Sequence, residues 1–258
     1  MIVTDRRDFV DDLLGGYRIG DLAQRAERYG LQLPGTAVVA AARAADPFED
    51  GRPVTEQVEA GLCFRFGRRD VMTCTDGGLL VCVAPQHLST AVIDEFVRVL
   101  GEALGEDVLW QVGVGMAHSG PGGTARSYDQ ARTALEIGWR LDLPERVLSA
   151  RDLLVYQVLW RDSAALAELV AAVLEPLRTA RIGPGPLVDT LYAYFLAGGV
   201  ATVAARRLGV GVRTVTYRLQ RVEALTGYAV DDQEQAFTLQ TAVLGARLIG
   251  WPGSGADS

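Results

Sequence analysis

A cationic segment at residues 200–222 sets the strongest limit on what this chain can form. The segment holds five arginines and no acidic residue, whereas the whole chain of 258 residues carries a net charge of −7. Its +5 therefore stands against −12 in the remainder. The pattern is a short helix, a Gly-Val-Gly turn at 209–211 and a longer helix. This order is typical of a helix-turn-helix, and the charge predicts double-stranded DNA as its partner.

A helical projection of the longer helix separates an apolar side from a polar side, at about 100° per residue. The predicted buried stripe consists of Val212, Val215, Leu219 and Val222. The opposite side carries Arg213, Tyr217, Gln220 and Arg221, with Thr214, Thr216 and Arg218 on the flanks. In the shorter helix, core spacing selects Val200, Val203, Ala204 and Leu208 and leaves Arg206 and Arg207 outside.

These outward side chains are the predicted DNA-binding residues. Arg213 and Gln220 are expected to contact base edges, because long side chains with hydrogen-bonding groups can reach the bases in the major groove. Phosphate contacts are predicted for Arg206, Arg207, Thr214, Arg218 and Arg221. Thr216 is included as a flank residue, and Tyr217 either contacts the DNA backbone or packs at the helix edge. The competing interpretation is a solvated arginine face on an ordinary amphipathic helix; the turn glycines and the lack of acids favour DNA.

Composition argues against several other classes of protein. No run approaches 18 apolar residues and the N-terminus is charged, so no membrane span or signal peptide is predicted and a cytoplasmic location is expected. Three cysteines without C-x-x-C spacing and only two histidines argue against a disulfide framework, a metal site or His-based catalysis. We therefore expect no cofactor, no metal and no catalytic residue.

The order of predicted elements indicates an α+β fold followed by an all-α domain. Strands are predicted at 36–43, 62–66, 70–75, 79–84 and 110–117, with an edge strand near 147. Asp76-Gly77-Gly78 predicts the turn of a hairpin. The strands are expected to form an antiparallel sheet of four or five strands. Helices at 89–104 and 124–141 are expected to cover this sheet mainly on one face. In the second of these helices, Ala131, Leu135 and Trp139 form the predicted buried stripe.

Glycine and proline residues, which interrupt helices and strands, mark the expected domain boundaries. N-terminal helices occupy 1–32 and the α+β domain 33–161. A connecting helix and linker span 162–185, ending at Gly183-Pro184-Gly185-Pro186, the clearest boundary. The helix-turn-helix domain covers 186–251, with Asp231-Asp232 capping its last helix. A disordered tail is predicted at 252–258.

The second half of the chain resembles the PucR/CdaR family of bacterial transcription regulators. The resemblance rests on L-x-x-T-L-x-x-Y-F-x-x-G at 187–198, A-x-x-L-G-V at 205–210 and T-V-x-Y-R-L-x-R-x-E-x-L-T-G at 214–227. The preceding region resembles the family's degenerate GGDEF-like domain, through DFVDDLLGG at 8–16, AERYGLQLPGTAVVAA at 26–41 and a strand followed by an S-Y-x-x-A helix at 113–138. The resemblance implies a sequence-specific regulator, with a small-molecule effector left open. A homodimer is predicted because one recognition helix reads too few base pairs for useful specificity.

Two departures from the family pattern qualify this expectation. Gly211-Val212-Arg213 stands where relatives usually have an H-R-N-like run, so the base preference cannot be transferred from them. Many relatives also carry a large N-terminal sensor domain, whereas this sequence begins at the middle domain. The substituted start of the recognition helix leaves a signal- or ligand-binding interaction module with weakened DNA binding as the alternative function.

Nucleotide cyclisation is the enzymatic alternative, because active GGDEF domains are cyclases. Such chemistry needs carboxylates at the end of the first strand and at the hairpin tip, to hold a divalent metal beside a triphosphate. Here Arg43 and alanines stand at the end of the first strand, where acids would be needed, and Asp76 is the only acid at the tip. Asp before Gly is mostly a turn former. The sequence therefore predicts no cyclase activity.

Overall fold

The computed structural model describes residues 2–29, 33, 35–120 and 122–253, with the side chains of 2–7 and 19 left out. The chain divides into two compact units, Met1–Gln157 and Val158–Ser258. This division lies about 25 residues before the glycine-proline run at 183–186. The predicted connecting helix thus belongs to the second unit. Of the predicted tail at 252–258, the last five residues lie outside the described range.

The first unit contains a sheet and five helices among its described residues, before a helix that crosses the division. The strands are β1 (Thr36–Ala44), β2 (Met72–Asp76), β3 (Leu79–Pro85), β4 (Trp110–Val114), β5 (His118–Ser119) and β6 (Val147–Ser149). The helices are α1 (Ile2–Gly15), α2 (Leu22–Arg28), α3 (Pro53–Phe66), α4 (Ser89–Leu104) and α5 (Gly123–Leu141), with α6 (Leu154–Arg161) crossing the division.

The sheet is mixed rather than purely antiparallel. Its order is β2-β3-β1-β4-β6, and β5 pairs with β1 off this path. The pairs around β1 and the β2-β3 hairpin are antiparallel, but the edge strand β6 runs parallel to β4. Parallel pairing follows from the connection, because α5 carries the chain back across the sheet between β4 and β6.

Both faces of the sheet are covered, which corrects the expectation of a sheet covered mainly on one face. Alternate residues of β1 point to opposite sides, so Val39 and Ala41 join one core and Ala40 and Ala42 the other. Helices α1, α2 and α5 cover the first side, and α3 and α4 cover the second. A strand covered on both faces reads as a continuous apolar run, as TAVVAAA does here.

The strand predicted at 62–66 is wrong, because these residues form the last turns of α3. Pro53 stands at the first helical position, where the missing N–H costs nothing. Val58 and Leu62, four residues apart, are both fully buried, whereas Phe64 is 95% exposed. The i, i+4 spacing lets one helix face pack against α4, whereas strand alternation would have buried Phe64 together with Leu62.

Helix α5 is attached to the sheet by the S-Y-x-x-A motif. Oγ of the buried Ser127 accepts a hydrogen bond from the backbone N–H of Val39 at 2.9 Å. The hydroxyl of Tyr128 donates to Oδ2 of Asp76 in the hairpin. A methyl group on Gly115 would overlap the carbonyl of Ser127, so helix and strand come closer here than any larger residue would allow.

The predicted burial of Trp139 is also wrong. Ala131, Leu135 and Gly138 are buried at helical positions i, i+4 and i+7, whereas Trp139 is 70% exposed. One residue turns the helix by about 100°, so Trp139 lies well off the stripe and Gly138 takes its place against Leu148.

The second unit is helical throughout its described residues. After α6 come α7 (Ser163–Leu174), a 3₁₀ segment at Glu175–Thr179, α8 (Gly185–Leu196), α9 (Ala201–Leu208), α10 (Val212–Thr226) and α11 (Gln233–Ile249). One core joins α7 to α11 and contains Val170, Leu191, Val215 and Val243. The side chain of Asp232 accepts a hydrogen bond from the N–H of Gln235 at 2.9 Å, as expected for the cap of α11.

Among the described residues, no helix combines the length and apolarity needed to cross a bilayer.

Candidate nucleic-acid interface

The turn between α9 and α10 has the geometry that its glycines predict. Gly209 adopts a left-handed conformation with φ of 64°. The N–H of Val210 donates to the carbonyl of Ala205 at 3.0 Å, and that of Gly209 to the carbonyl of Arg206 at 3.3 Å. Together these bonds form a Schellman cap, in which a residue with a side chain would be strained at the glycine position. Three residues therefore turn the chain from one helix into the next.

The inner side of α10 is fixed by apolar packing. Val215 and Val222 are fully buried and Leu219 is nearly so, in the core shared with Ala204 of α9. Small Ala204 lets the two helices approach closely. Three stripe residues therefore pack as predicted.

Several valines at the helix ends are more exposed than the projection predicts. Val212 is 42% exposed, and Val200 and Val203 are also exposed. Val212 is the first residue of α10 and Val200 precedes α9, so neither has a helical turn on both sides to cover it. Leu208 is partly buried against the core.

The outer side of α9 and α10 presents most of the predicted DNA-binding residues to solvent. Exposed members are Arg206, Arg207, Arg213, Thr214, Thr216, Tyr217, Gln220 and Arg221. We call this set the basic face. Arg206 and Arg207 lie in the last turn of α9, where the negative end of the helix dipole stabilises their positive charges. No acidic residue lies between Val200 and Val222, so every charged residue of the face is an arginine.

Arg218 is placed differently from the other predicted residues. It is partly buried, and its Nη1 donates to Oγ1 of Thr190 at 3.1 Å and lies 3.5 Å from the carbonyl oxygen of Pro186. Thr190, which is fully buried, donates in turn to the same carbonyl at 2.7 Å. We call these three residues the α8 clamp. They direct Arg218 toward α8 and away from the basic face.

Thr190 is the residue that sequence reasoning missed. A threonine on the apolar side of a helix, four residues after a proline, was the available signal, because a buried hydroxyl needs a partner. Its second partner lies 28 residues away in the chain, so only the fold could identify it.

The start of α10 lacks a side-chain cap. Gly211 occupies the N-cap position with extended backbone, φ −72° and ψ 149°, and makes no side-chain hydrogen bond there. The first N–H groups of α10 near Gly211 therefore point out of the helix end without a capping side chain, beside the exposed Arg213. Such N–H groups suit an anionic oxygen.

In the first unit, the hairpin acid Asp76 has a protein partner. Its Oδ2 accepts the hydrogen bond from the hydroxyl of Tyr128. Burial, and secondarily this contact with the carboxylate, raises the pKa of Tyr128 above its usual value. Tyr128 therefore stays a hydrogen-bond donor, and Asp76 serves to join the hairpin to α5.

Comparisons with known proteins agree with this division of the chain. Residues 15–137 match the GGDEF-like domain family, and residues 187–244 match the PucR C-terminal helix-turn-helix domain. Two curated relatives are the uncharacterized proteins Rv2242 of Mycobacterium tuberculosis and Mb2266 of Mycobacterium bovis. Each is 39% identical over 111 residues, which is 43% of this chain and only 26% of the relative.

A crystal structure of a regulator of polyketide synthase expression from Bifidobacterium adolescentis is also similar. It shares 23% identity and a TM-score of 0.48, over 95% of this chain and 98% of that one. The two family matches follow each other along the chain in the order that its motifs predict. With a GGDEF-like domain followed by a PucR C-terminal helix-turn-helix domain, the chain belongs to the PucR/CdaR type of transcription regulators.

Proposed function

We propose that this protein is a sequence-specific, DNA-binding transcription regulator that acts in the cytoplasm as a homodimer and responds to a small-molecule effector. The observation that carries the proposal is the basic face. Eight predicted contact residues are exposed on it, while Val215, Leu219 and Val222 anchor the other side of the same helix. A helix fixed on one side and basic on the other is suited to enter the major groove.

Within the basic face, Arg213 and Gln220 read base edges, and Arg206, Arg207, Thr214 and Arg221 contact phosphates. Arg213 stands in the first turn of α10, the part of a recognition helix that reaches the bases. Thr216 and Tyr217 lie beside these residues and contact the DNA backbone. Arg218 instead holds α10 against α8 through the α8 clamp, so it orients the face without touching DNA.

A homodimer follows from the size of one recognition helix. A single helix contacts only a few base pairs, whereas two copies related by a two-fold axis read two half-sites about one helical turn apart. The operator is therefore expected to be a palindrome.

The decisive experiment is selection of bound DNA from a random library, followed by affinity measurements on the selected sequence. Arg213→Ala is expected to lose about 1–3 kcal/mol at the selected site, a weakening of roughly 5- to 150-fold, and to relax the preference at the base pair it contacts. Arg207→Ala should weaken all sequences alike and lower the salt slope by about one unit per subunit.

Arg181→Ala serves as the matched control, because Arg181 is exposed in the same unit but lies outside α9 and α10. Its substitution should leave both affinity and sequence preference unchanged. Unaltered binding by Arg213→Ala would refute the assignment of the basic face. If no sequence is enriched from the library, the interaction-module alternative is favoured instead.

We further infer that the GGDEF-like domain does not cyclise nucleotides. Support comes from Asp76, whose carboxylate accepts the hydrogen bond of Tyr128, and from Arg43 and Ala44 at the end of β1, where acids would be needed. Incubation with GTP or ATP and Mg²⁺ or Mn²⁺ tests the inference, and any cyclic product would overturn it.

A further inference from the structure

Helix α3 turns a second face to solvent, opposite the one that packs against α4. Val58 and Leu62 lie on the inner side and are fully buried. At about 100° per residue, the centre of the opposite side falls close to residue 60. The exposed side chains within about 60° of this centre are Pro53, Glu56, Gln57, Ala60 and Phe64. We call these five residues the outer face of α3.

The outer face combines one large and one small side chain, one helical turn apart. Phe64 is 95% exposed, more than any other large apolar side chain in the described part of the chain. Ala60, four residues before it, has no side-chain atom beyond Cβ. Isolated exposed apolar residues are common and need no partner. A large side chain beside a small one is different, because two copies related by a two-fold axis can each place Phe64 over Ala60 of the other.

The first half of α3, with the residues just before it, is negatively charged. Four acids and one arginine stand between residues 49 and 59. The arginine, Arg52, is paired with Glu49, with 3.0 Å between Nε and Oε2. Asp50, Glu56 and Glu59 therefore have no arginine to balance them in this half, and Glu56 lies on the outer face.

The C-terminal end of α3 is positively charged. Arg68 and Arg69 are exposed in the turn that follows the helix, and Asp70 after them offsets one of the two charges. Arg65 does not add to this charge, because it is paired with the buried Glu95. The two ends of α3 therefore differ in sign when the paired residues and Asp70 are counted. The helix dipole favours the same order of charges, so a partner is indicated only by this order together with the shape of the outer face.

We propose that the outer face of α3 is the dimer interface of this protein, and that its occupant is α3 of a second copy, lying antiparallel across a two-fold axis. Phe64 of each copy packs on Ala60 of the other. The acidic half of each helix, with Glu56, lies beside the basic end of the other, with Arg68. A parallel pair would instead bring like charges together. The inference deepens the homodimer of the proposed function by naming its surface, and only the role of that dimer rests on the proposed function.

Surfaces of other chemistry fit the outer face less well. An anionic lipid surface would be attracted by Arg68 and Arg69 but repelled by Glu56, which lies beside Phe64 on the outer face. If the protein stays monomeric and cosediments with phosphatidylserine vesicles through Phe64, the occupant is a membrane surface and the dimer interface is wrong.

The size of the contact sets the expected affinity. Helix α3 has 14 residues and is therefore about 21 Å long. One antiparallel pair of this length is small against the roughly 1,200–2,000 Å² that stable interfaces bury. The dimer is therefore expected to dissociate at micromolar concentrations.

Sedimentation equilibrium of the full chain without DNA tests the proposal. The parent protein should pass from monomer to dimer over micromolar concentrations. Phe64→Ala should raise the dimer dissociation constant at least tenfold, because it removes the ring from two symmetric contacts. Trp139→Ala is the matched control, since Trp139 is an aromatic residue of the same unit that is 70% exposed but lies on α5. A parent protein that stays monomeric through the micromolar range, or a Phe64→Ala variant that dimerises as the parent does, would overturn the proposal.

Exchange of two charges tests the antiparallel arrangement. Glu56→Arg and Arg68→Glu should each weaken the dimer about fivefold or more at low salt, since each places like charges together at two contacts. The double variant restores opposite charges and should dimerise within about twofold of the parent. Both side chains are exposed, so the fold should be kept, which thermal melting followed by circular dichroism checks. A double variant as weak as the product of the two single effects would refute the antiparallel pairing.

DNA measurements keep this interface apart from the proposed function. Phe64→Ala should bind the selected palindrome more weakly than the parent does, but a single half-site equally well, because α3 lies outside the helix-turn-helix domain. A dimer that depends on Phe64 but selects no DNA sequence would refute the regulator and leave the interface standing. A protein that binds its palindrome while Phe64→Ala leaves self-association unchanged would refute the interface alone.

Discussion

Thr190→Val is expected to destabilise the second unit by removing the centre of the α8 clamp. The hydroxyl makes two hydrogen bonds, one to the Pro186 carbonyl at 2.7 Å and one from Arg218 at 3.1 Å. A neutral hydrogen bond contributes about 0.5–1.5 kcal/mol, and one to a charged group about 1.5–3 kcal/mol. Water can replace part of the second bond, because Arg218 is only partly buried, and the added methyl group gains about 1 kcal/mol from burial.

The net cost is therefore about 2 kcal/mol. For a unit of this size, such a loss lowers the melting temperature by about 10 °C. Urea unfolding of the full chain, followed by circular dichroism, measures the free energy of unfolding. Hydrogen exchange resolved by peptide should show the loss in α8 and α10, and leave the sheet of the first unit unchanged.

A double-mutant cycle tests the reasoning more sharply than either change alone. Arg218→Met removes the guanidinium but keeps the length of the side chain. If Arg218 and Thr190 interact as their distance indicates, the double variant should lose about 1 kcal/mol less than the sum of the single losses. Additivity within about 0.5 kcal/mol would refute the clamp. The Arg218→Met variant should also bind the selected DNA more weakly, since α10 loses its attachment to α8.

Three further changes test other parts of the fold. Gly115→Ala should cost about 3 kcal/mol in the first unit, because the new methyl group overlaps the Ser127 carbonyl, whereas Gly20→Ala, with open space around it, serves as the thermal-melting control. Burial raises the pKa of the Cys82 thiol from 9.0 to about 12, so its contribution to stability is complete below pH 9 and is lost as pH rises toward 12. Urea titrations should show the stability advantage over Cys82→Ala shrinking by up to about 1.4 kcal/mol per pH unit above 9, and a constant difference would contradict this. Asp232→Ala should lower the free energy of unfolding of the second unit by about 1 kcal/mol through loss of the α11 cap, with Asp231→Ala as the neighbouring control.

Local patterns predicted those elements whose geometry depends on neighbours in the chain. The hairpin turn at Asp76-Gly77-Gly78 joins β2 and β3 as expected, and Asp232 caps α11. Glycine at 209 allows the left-handed conformation that ends α9. Each of these depends on a backbone conformation or a hydrogen bond within a few residues, which the sequence encodes directly.

The two wrong predictions, the strand at 62–66 and the buried Trp139, share a different cause. Residues 62–66 were predicted as a strand because short apolar runs suit either state, and contact with α4 decides for the helix. Trp139 was predicted to be buried because its spacing from Leu135 is helical, but the sheet meets α5 at Gly138. In both cases the deciding contact comes from an element distant in sequence.

The sequence by itself determined that positive charge is concentrated in one segment, that this segment forms a helix-turn-helix, and which family the chain resembles. Charge, turn glycines and helical period are properties of short segments, so the sequence contains them directly. Only the tertiary structure decided that Arg218 faces α8 while Arg213, Gln220 and Arg221 of the same helix stay exposed, and that both faces of the sheet are covered. It also left Phe64 exposed on α3, on the side opposite the buried Val58 and Leu62. Which side chains stay exposed depends on contacts between distant segments, and no local pattern contains that information.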